Sequence, residues 1–171
     1  GVAELDVYGP REPALYTGAI NSIDHGAEPR WPAGRERRVF AYLKPHYAQL
    51  EAVVTALSKL DASVLVFAPG LAKATVQRLQ TANLAFSSEP LRMRSVREQA
   101  DMAVCHAGGT VDVMLAAGKP LFVLPLQMEQ MMTSRRLEQC GCGLYYWYQQ
   151  PPREIEKGLR KVFGTPEFAA S

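Results

Sequence analysis

The sequence contains no apolar run close to the roughly 20 residues that a membrane-crossing helix requires, and its uncharged apolar segments are only strand length. It also shows no leader-like pattern of a charged start, an apolar stretch and a small-residue cleavage site. There are three cysteines in 171 residues, Cys105, Cys140 and Cys142. An odd number in a chain of this size argues against a disulfide framework. Cys140-Gly141-Cys142 is too tightly spaced for a zinc half-site and lacks a second pair, so no metal site is expected. No G-x-G-x-x-G occurs, which argues against a nicotinamide dinucleotide. The net charge of +2, from 19 Lys and Arg against 17 Asp and Glu, is too small to direct the chain to nucleic acid. The aromatic run Tyr145–Tyr148 carries no interleaved cation, as a base-stacking platform would, and reads instead as a buried strand edging a domain interface. Internal repeats and low-complexity tracts are absent as well. These exclusions leave a soluble globular protein, with the cytoplasm as its default location.

Length and composition suit one domain. At 171 residues with 47% hydrophobic content the chain can bury a real core but has little left for a second unit. Residues 1–38 are punctuated rather than periodic, with Pro10, Pro13, Pro29, Pro32 and five glycines, and read as an extended interdomain connector with a short strand at Leu15–Thr17. From Val39 the pattern becomes regular. Apolar runs at 39–43, 64–68, 84–86, 102–105, 121–124 and 144–147 read as six strands. Helical spacing fills the intervals: 47–60, 71–80, 95–100, 110–117 and 129–139, with a last helix at 153–163. The strands are continuous apolar runs rather than alternating ones, which is the pattern of strands covered on both faces. Strand and helix alternate about every 20 residues, implying right-handed βαβ crossovers. The expected fold is α/β, a Rossmann-like three-layer α/β/α arrangement over residues 39–171 with a mostly parallel six-stranded sheet.

In an open parallel sheet ligands bind beyond the carboxyl ends of the strands, and three of the loops there carry chemistry. The richest is Cys105-His106-Ala107-Gly108-Gly109-Thr110. A buried strand ends, two glycines allow close approach of main chain to an anion, and a helix opens whose first N–H groups are unpaired. Thr110 is expected at the helix cap, with His106 donating to the same anion. Without its surroundings this segment reads more simply as a tight turn with a structural histidine. A second loop, Pro125 to Gln130, places Glu129 and Gln130 side by side, a carboxylate and an amide able to read vicinal sugar hydroxyls; an acidic first helical turn is the plainer alternative. The third, Lys44-Pro45-His46, follows the first strand and reads as a polar turn or as a loop closing over phosphates. Seven cations gather at Arg35, Arg37 and Arg38, at Arg92, Arg94 and Arg97, and at Lys44, forming either a phosphate-facing surface or a solvated one.

Taken in order, these segments resemble a known family. His106-Ala-Gly-Gly-Thr110, Ala116-Ala-Gly-Lys-Pro120, Leu121-Phe-Val-Leu-Pro125, Glu129-Gln130 and Gly141-Cys-Gly143 form a series of about 38 residues. The series is similar to the C-terminal, donor-binding domain of GT-B glycosyltransferases, in particular the bacterial UDP- or dTDP-sugar-dependent enzymes of the plant and macrolide type. Tyr16-Thr17-Gly18 and Trp31-Pro32 resemble the stretch that links the two domains in that family. The resemblance implies that His106, Gly108, Gly109 and Thr110, with Lys44 and His46, hold the diphosphate of a nucleotide sugar. It implies that Glu129 and Gln130 bind the donor sugar, and that Leu91, Arg92 and Met93 meet the nucleobase, largely through main chain and apolar contact. It further implies metal-independent, inverting transfer of a hexose. The acceptor pocket and catalytic base would lie on an N-terminal domain of about 200 residues that this sequence does not include; the chain alone is expected to bind donor weakly and to transfer nothing.

Two departures stand out. The turn after His106 is one residue shorter than usual. Where the family often carries a glutamate for the ribose hydroxyls, the sequence has Val113, with Asp112 one step away on a different face of the helix. Two further readings follow: a non-catalytic or regulatory glycosyltransferase-like subunit, motivated by Val113, and a nucleotide-sugar epimerase domain on the same frame.

Overall fold

The computed structural model describes residues 23–165 together with Asp6, Leu15 and Phe168. Most of the strand expected at Leu15–Thr17, and Tyr16-Thr17-Gly18, lie outside the described residues. Six strands, β1 (Arg38–Tyr42), β2 (Ser63–Phe67), β3 (Leu84–Ser87), β4 (Met102–Cys105), β5 (Leu121–Val123) and β6 (Gly143–Tyr145), alternate with six helices. The helices are α1 (Leu50–Ser58), α2 (Lys73–Leu79), α3 (Met93–Gln99), α4 (Gly109–Leu115), α5 (Met128–Gln139) and α6 (Arg153–Gly164). The sheet order is β3-β2-β1-β4-β5-β6, and each neighbouring pair is parallel. The order reverses between β1 and β4, which makes the carboxyl ends of those two strands the topological switch point.

The two-residue period of each strand divides the core. Val39 and Ala41 of β1, Val64 and Val66 of β2, and Met102 and Val104 of β4 face one side, packed against α1 and α6 through Val53, Leu57, Ile155 and Leu159. Phe40, Leu65, Ala103 and Cys105 face the other, beneath α3, α4 and α5, where Val96, Met114 and Leu137 cover them. Both faces are therefore apolar, and the strand sequences show no alternation. Burial pushes the Cys105 thiol up to about 12, leaving an inert small hydrophobe.

Several expectations are corrected at the margins. The first helix begins at Leu50 rather than Tyr47, because Tyr47 donates its N–H to the Lys44 carbonyl at 3.0 Å and closes a turn. The aromatic run 145–148 is not a buried strand: only Tyr146 is fully buried, β6 ends at Tyr145, and Tyr148 is exposed in the turn that follows. Helix α2 buries none of its residues completely. Among the described residues no helix is long and apolar enough to cross a membrane.

The edge strand β6 is seated by a glycine. A Cβ on Gly143 would lie 2.0 Å from the Leu121 carbonyl oxygen and 2.8 Å from its carbon, both main-chain atoms that cannot turn away. Gly143→Ala is expected to destabilise the domain by about 2 kcal/mol or more. For a chain of this size that lowers the thermal midpoint by roughly 4–8 °C. A midpoint equal to wild type in a melting experiment would show that β6 is not docked against Leu121.

Candidate functional site

The carboxyl rim of the sheet gathers the three loops singled out in the sequence. After β1 the chain turns through Lys44, Pro45 and His46; after β4 it passes through His106, Ala107 and the two glycines into α4; after β5 it runs through Pro125 and Leu126 into α5.

His106 ties these loops together. The residue is 3% exposed. Nε2 accepts the Lys44 N–H at 3.0 Å, and Nδ1 lies 2.6 Å from the Leu124 carbonyl oxygen, to which it donates. That assignment is the neutral Nδ1–H tautomer, since Nε2 cannot both accept from Lys44 and carry a proton. One imidazole therefore joins the turn after β1 to the end of β5 across β4. The sequence expectation that His106 donates to a bound anion is revised: both ring nitrogens are committed to main chain, and the residue shapes the rim instead. Tyr47 packs edge-on against it, with ring centroids 5.2 Å apart at 71°. The Tyr47 hydroxyl is buried without a hydrogen-bond partner among the described residues, and burial raises its pKa.

The turn that follows is open. Gly108 and Gly109 are exposed, and Thr110 is half-buried. Gly108 occupies the cap position of α4 with extended backbone, and no side chain caps the helix. Thr110, expected at the cap, lies inside the first turn. The Val111 N–H returns to the Gly108 carbonyl at 2.8 Å, while the amides of Gly109 and Thr110 find no acceptor among the described residues. Lys44 is half-buried and His46 exposed beside the same rim. Asp112 is half-buried and Val113 buried in α4, and neither lines the cleft described next.

A cleft of about 690 Å³ opens at the switch point. Its floor is aromatic. Tyr42 and Phe67 end β1 and β2 in register and stack with centroids 5.7 Å apart and planes inclined by 16°. Thr110 marks its α4 side; Leu91 and Met93 mark the loop after β3; His25, Gly26 and Ala27 supply the remaining wall. Leu91 and Met93 were anticipated, whereas Tyr42, Phe67 and the 25–27 wall were not. Arg92 does not line the cleft: its guanidinium pairs with Glu28 at 2.6 Å. Three of the other clustered arginines are also engaged. Arg94 pairs with Asp24 and holds that carboxyl below its usual range, Arg35 pairs with Asp61, and Arg37 bonds the Phe163 carbonyl and covers its ring.

At the start of α5, Gln130 reaches back so that its Oε1 accepts the Leu126 N–H at 2.7 Å. This fixes the loop after β5 and leaves the amide N–H groups of Gln130, with one lone pair of Oε1, for a ligand. Glu129 is exposed beside it, next to Met128, which is 69% exposed. Among the described residues no group of three or more His, Cys, Asp or Glu side chains comes together as a metal could use.

The tautomer of His106 has a consequence for stability. Desolvation lowers its pKa from 6.5, reinforced by Lys44 and His46 and opposed by the bond to Leu124. A depressed folded-state pKa means that the unfolded chain takes up the proton first, so this contribution is complete above about pH 6.5 and is lost as pH falls through the lower folded value. Protonation also turns Nε2 into a donor facing the Lys44 N–H. The stability gap between wild type and His106→Ala is therefore expected to narrow between about pH 7 and pH 5, read by thermal melts across that interval. A gap independent of pH would show that His106 is not the titrating bridge.

Residues 64–171 match the family model described as the glycosyltransferase family 28 C-terminal domain. No curated protein matches the chain in sequence. Among solved structures it is similar to the spinosyn rhamnosyltransferase SpnG complexed with spinosyn aglycone, with 22% identity and a TM-score of 0.77 over 97% of this chain and 48% of that one. It is also similar to the glycosyltransferase SnogD from Streptomyces nogalater, with 22% identity and a TM-score of 0.71 over 98% and 47%. A third likeness is to the glycosyltransferase VinC in complex with dTDP, with 19% identity and a TM-score of 0.66 over 78% and 35%. The chain thus spans between about a third and a half of the length of these structures. At such identities the likeness establishes a shared fold, the Rossmann-like α/β domain of GT-B glycosyltransferases, while the family model covers well over half of the sequence. The chain belongs to the glycosyltransferase family 28 C-terminal domain family.

Proposed function

We propose that this domain binds the nucleoside diphosphate of a UDP- or dTDP-sugar at the switch point and serves as the donor half of an inverting, metal-independent hexosyltransferase. The observation that carries the reading is the cleft beside the Gly108–Thr110 turn. An aromatic floor suited to a planar base adjoins a set of uncapped main-chain amides suited to an anion. VinC and one SpnG structure are described as complexes with dTDP and thymidine diphosphate, which favours the same ligand class here.

In this reading the base lies against Tyr42 and Phe67, with Leu91 and Met93 at its edge. The main-chain bridge between Ala27 and Leu91 uses the Pro90 carbonyl and the Arg92 amide. Leu91's own N–H and C=O face away from that bridge and have no partner among the described residues. An adjacent donor and acceptor of this kind suit the edge of a nucleobase. The diphosphate meets the amides of Gly109 and Thr110, the Thr110 hydroxyl, and the side chains of Lys44 and His46. His106 holds the Lys44 turn in place rather than touching the phosphate. Glu129 and the amide of Gln130, at the head of α5, take sugar hydroxyls. The acceptor and the catalytic base belong to an N-terminal half. The electrostatic support needed is modest: helix-end amides supply about 0.3–2 kcal/mol and each charge-assisted bond about 1.5–3 kcal/mol, enough to hold a diphosphate without a metal ion.

Calorimetric titration of the chain with UDP, dTDP and GDP tests this. A pyrimidine diphosphate is expected to bind, with the same affinity in the presence of a chelator. Thr110→Val is expected to weaken it by about 1 kcal/mol, near fivefold, through loss of one hydroxyl bond. No sugar transfer is expected from the chain alone. Failure of every nucleotide to bind, or dependence on an added divalent cation, would overturn the reading.

A further inference from the structure

The segment before β1 reads in the sequence as a connector between domains, and the family match begins only at residue 64. In the structure this segment is part of the cleft. The Ala27 N–H donates to the Pro90 carbonyl at 2.9 Å, and the Ala27 carbonyl accepts the Arg92 N–H at 2.8 Å. Two residues further along, in the first turn of α3, the Arg94 N–H donates to the Ile23 carbonyl at 2.9 Å. Three main-chain bonds therefore clip residues 23–27 to the loop after β3 and the first turn of α3, the two at Ala27 forming a parallel bridge with Leu91.

Gly26 sets how closely the two segments approach. It has φ +112°, a conformation that favours glycine. A Cβ there would lie 2.6 Å from the Leu91 carbonyl carbon, 2.7 Å from the Pro90 oxygen and 2.8 Å from the Arg92 nitrogen. All three are main-chain atoms, so a methyl group could be admitted only by moving the segments apart. The ion pairs Arg92–Glu28 and Arg94–Asp24 flank the clip but are exposed, and such pairs contribute little. The bonds and the glycine contact are what hold the wall.

We propose that the Gly26–Ala27 segment is a working wall of the donor site, and that Gly26 is a positioning residue for the nucleobase. By fixing the loop through Leu91 it sets the width of the cleft over Tyr42 and Phe67, and with it the share of affinity that comes from the base rather than the diphosphate. The inference rests on the nucleotide-binding reading above and adds to it a residue outside the matched family region.

Two variants attack the clip by different means while leaving Tyr42, Phe67, Leu91 and Thr110 unchanged. Gly26→Ala forces the segments apart, and Ala27→Pro removes the N–H donated to Pro90. Binding of dTDP and of inorganic pyrophosphate to the whole chain is measured for wild type and both variants, with circular dichroism to verify folding. Each variant is expected to bind dTDP at least about tenfold more weakly, with pyrophosphate unchanged. Unchanged dTDP binding in a folded variant overturns the inference, as does a parallel loss of both ligands. If wild type binds neither, the nucleotide-binding reading itself has failed. Hydrogen exchange on wild type gives a readout independent of the variants: addition of dTDP is expected to slow exchange at the amides of Ala27, Arg92 and Arg94. Saturation with dTDP without protection at those amides also overturns the inference.

Discussion

The rim of this domain depends on one buried imidazole. A parallel sheet binds its own strands but leaves the loops at its carboxyl ends to find separate support, and at the switch point the neighbouring crossovers diverge to opposite faces. His106 bridges that divergence. It accepts from the turn after β1 and donates to the end of β5, from a position at the end of β4. Both bonds end on main chain, so they constrain the path of the chain rather than the rotamer of another side chain. The residue must be neutral to make them together, and its burial, with Lys44 and His46 nearby, keeps it so. The Gly108–Thr110 turn follows directly and inherits its placement from the same anchor.

Much of the architecture is legible in the residues themselves. The six apolar runs become six strands because helices cover both faces of the sheet, so no polar position interrupts them. Boundaries fare less well where a local bond competes with periodicity. Tyr47 continues the apolar spacing of α1, yet its amide closes on the Lys44 carbonyl and the helix waits until Leu50. The aromatic run 145–148 misleads for a different reason. Strand β6 lies at the sheet edge, so only Tyr146 is fully buried, while Tyr145 and Trp147 are half-buried and Tyr148 is exposed.

The candidate site is legible in part. The glycine turn, the loop after β3 and the head of α5 declare themselves by residue type and by position after a strand. The aromatic floor does not: Tyr42 and Phe67 are 25 residues apart in sequence, and only the parallel register sets them side by side. The role of His106 is hidden in the same way, because the carbonyl it binds lies 18 residues downstream. The arginines at 35–38 and 92–94 show the converse. Their clustering suggests a surface for phosphate, but Asp24, Glu28 and Asp61 arrive from elsewhere in the chain and occupy three of them. Side chains reveal what a residue can do; the partner that uses that capacity is a property of the fold.

The segment before β1 is likewise held by partners that its own pattern does not reveal. A run rich in proline and glycine reads as a spacer because it has no periodic apolar face. What holds residues 23–27 in place needs no such face, since main-chain bonds and a glycine contact are independent of hydrophobic pattern. Nearby, Trp31 donates to Gln99 and the Ser63 hydroxyl donates to the Pro32 carbonyl, extending the attachment across α3 and the start of β2. A segment anchored at so many points moves with the domain.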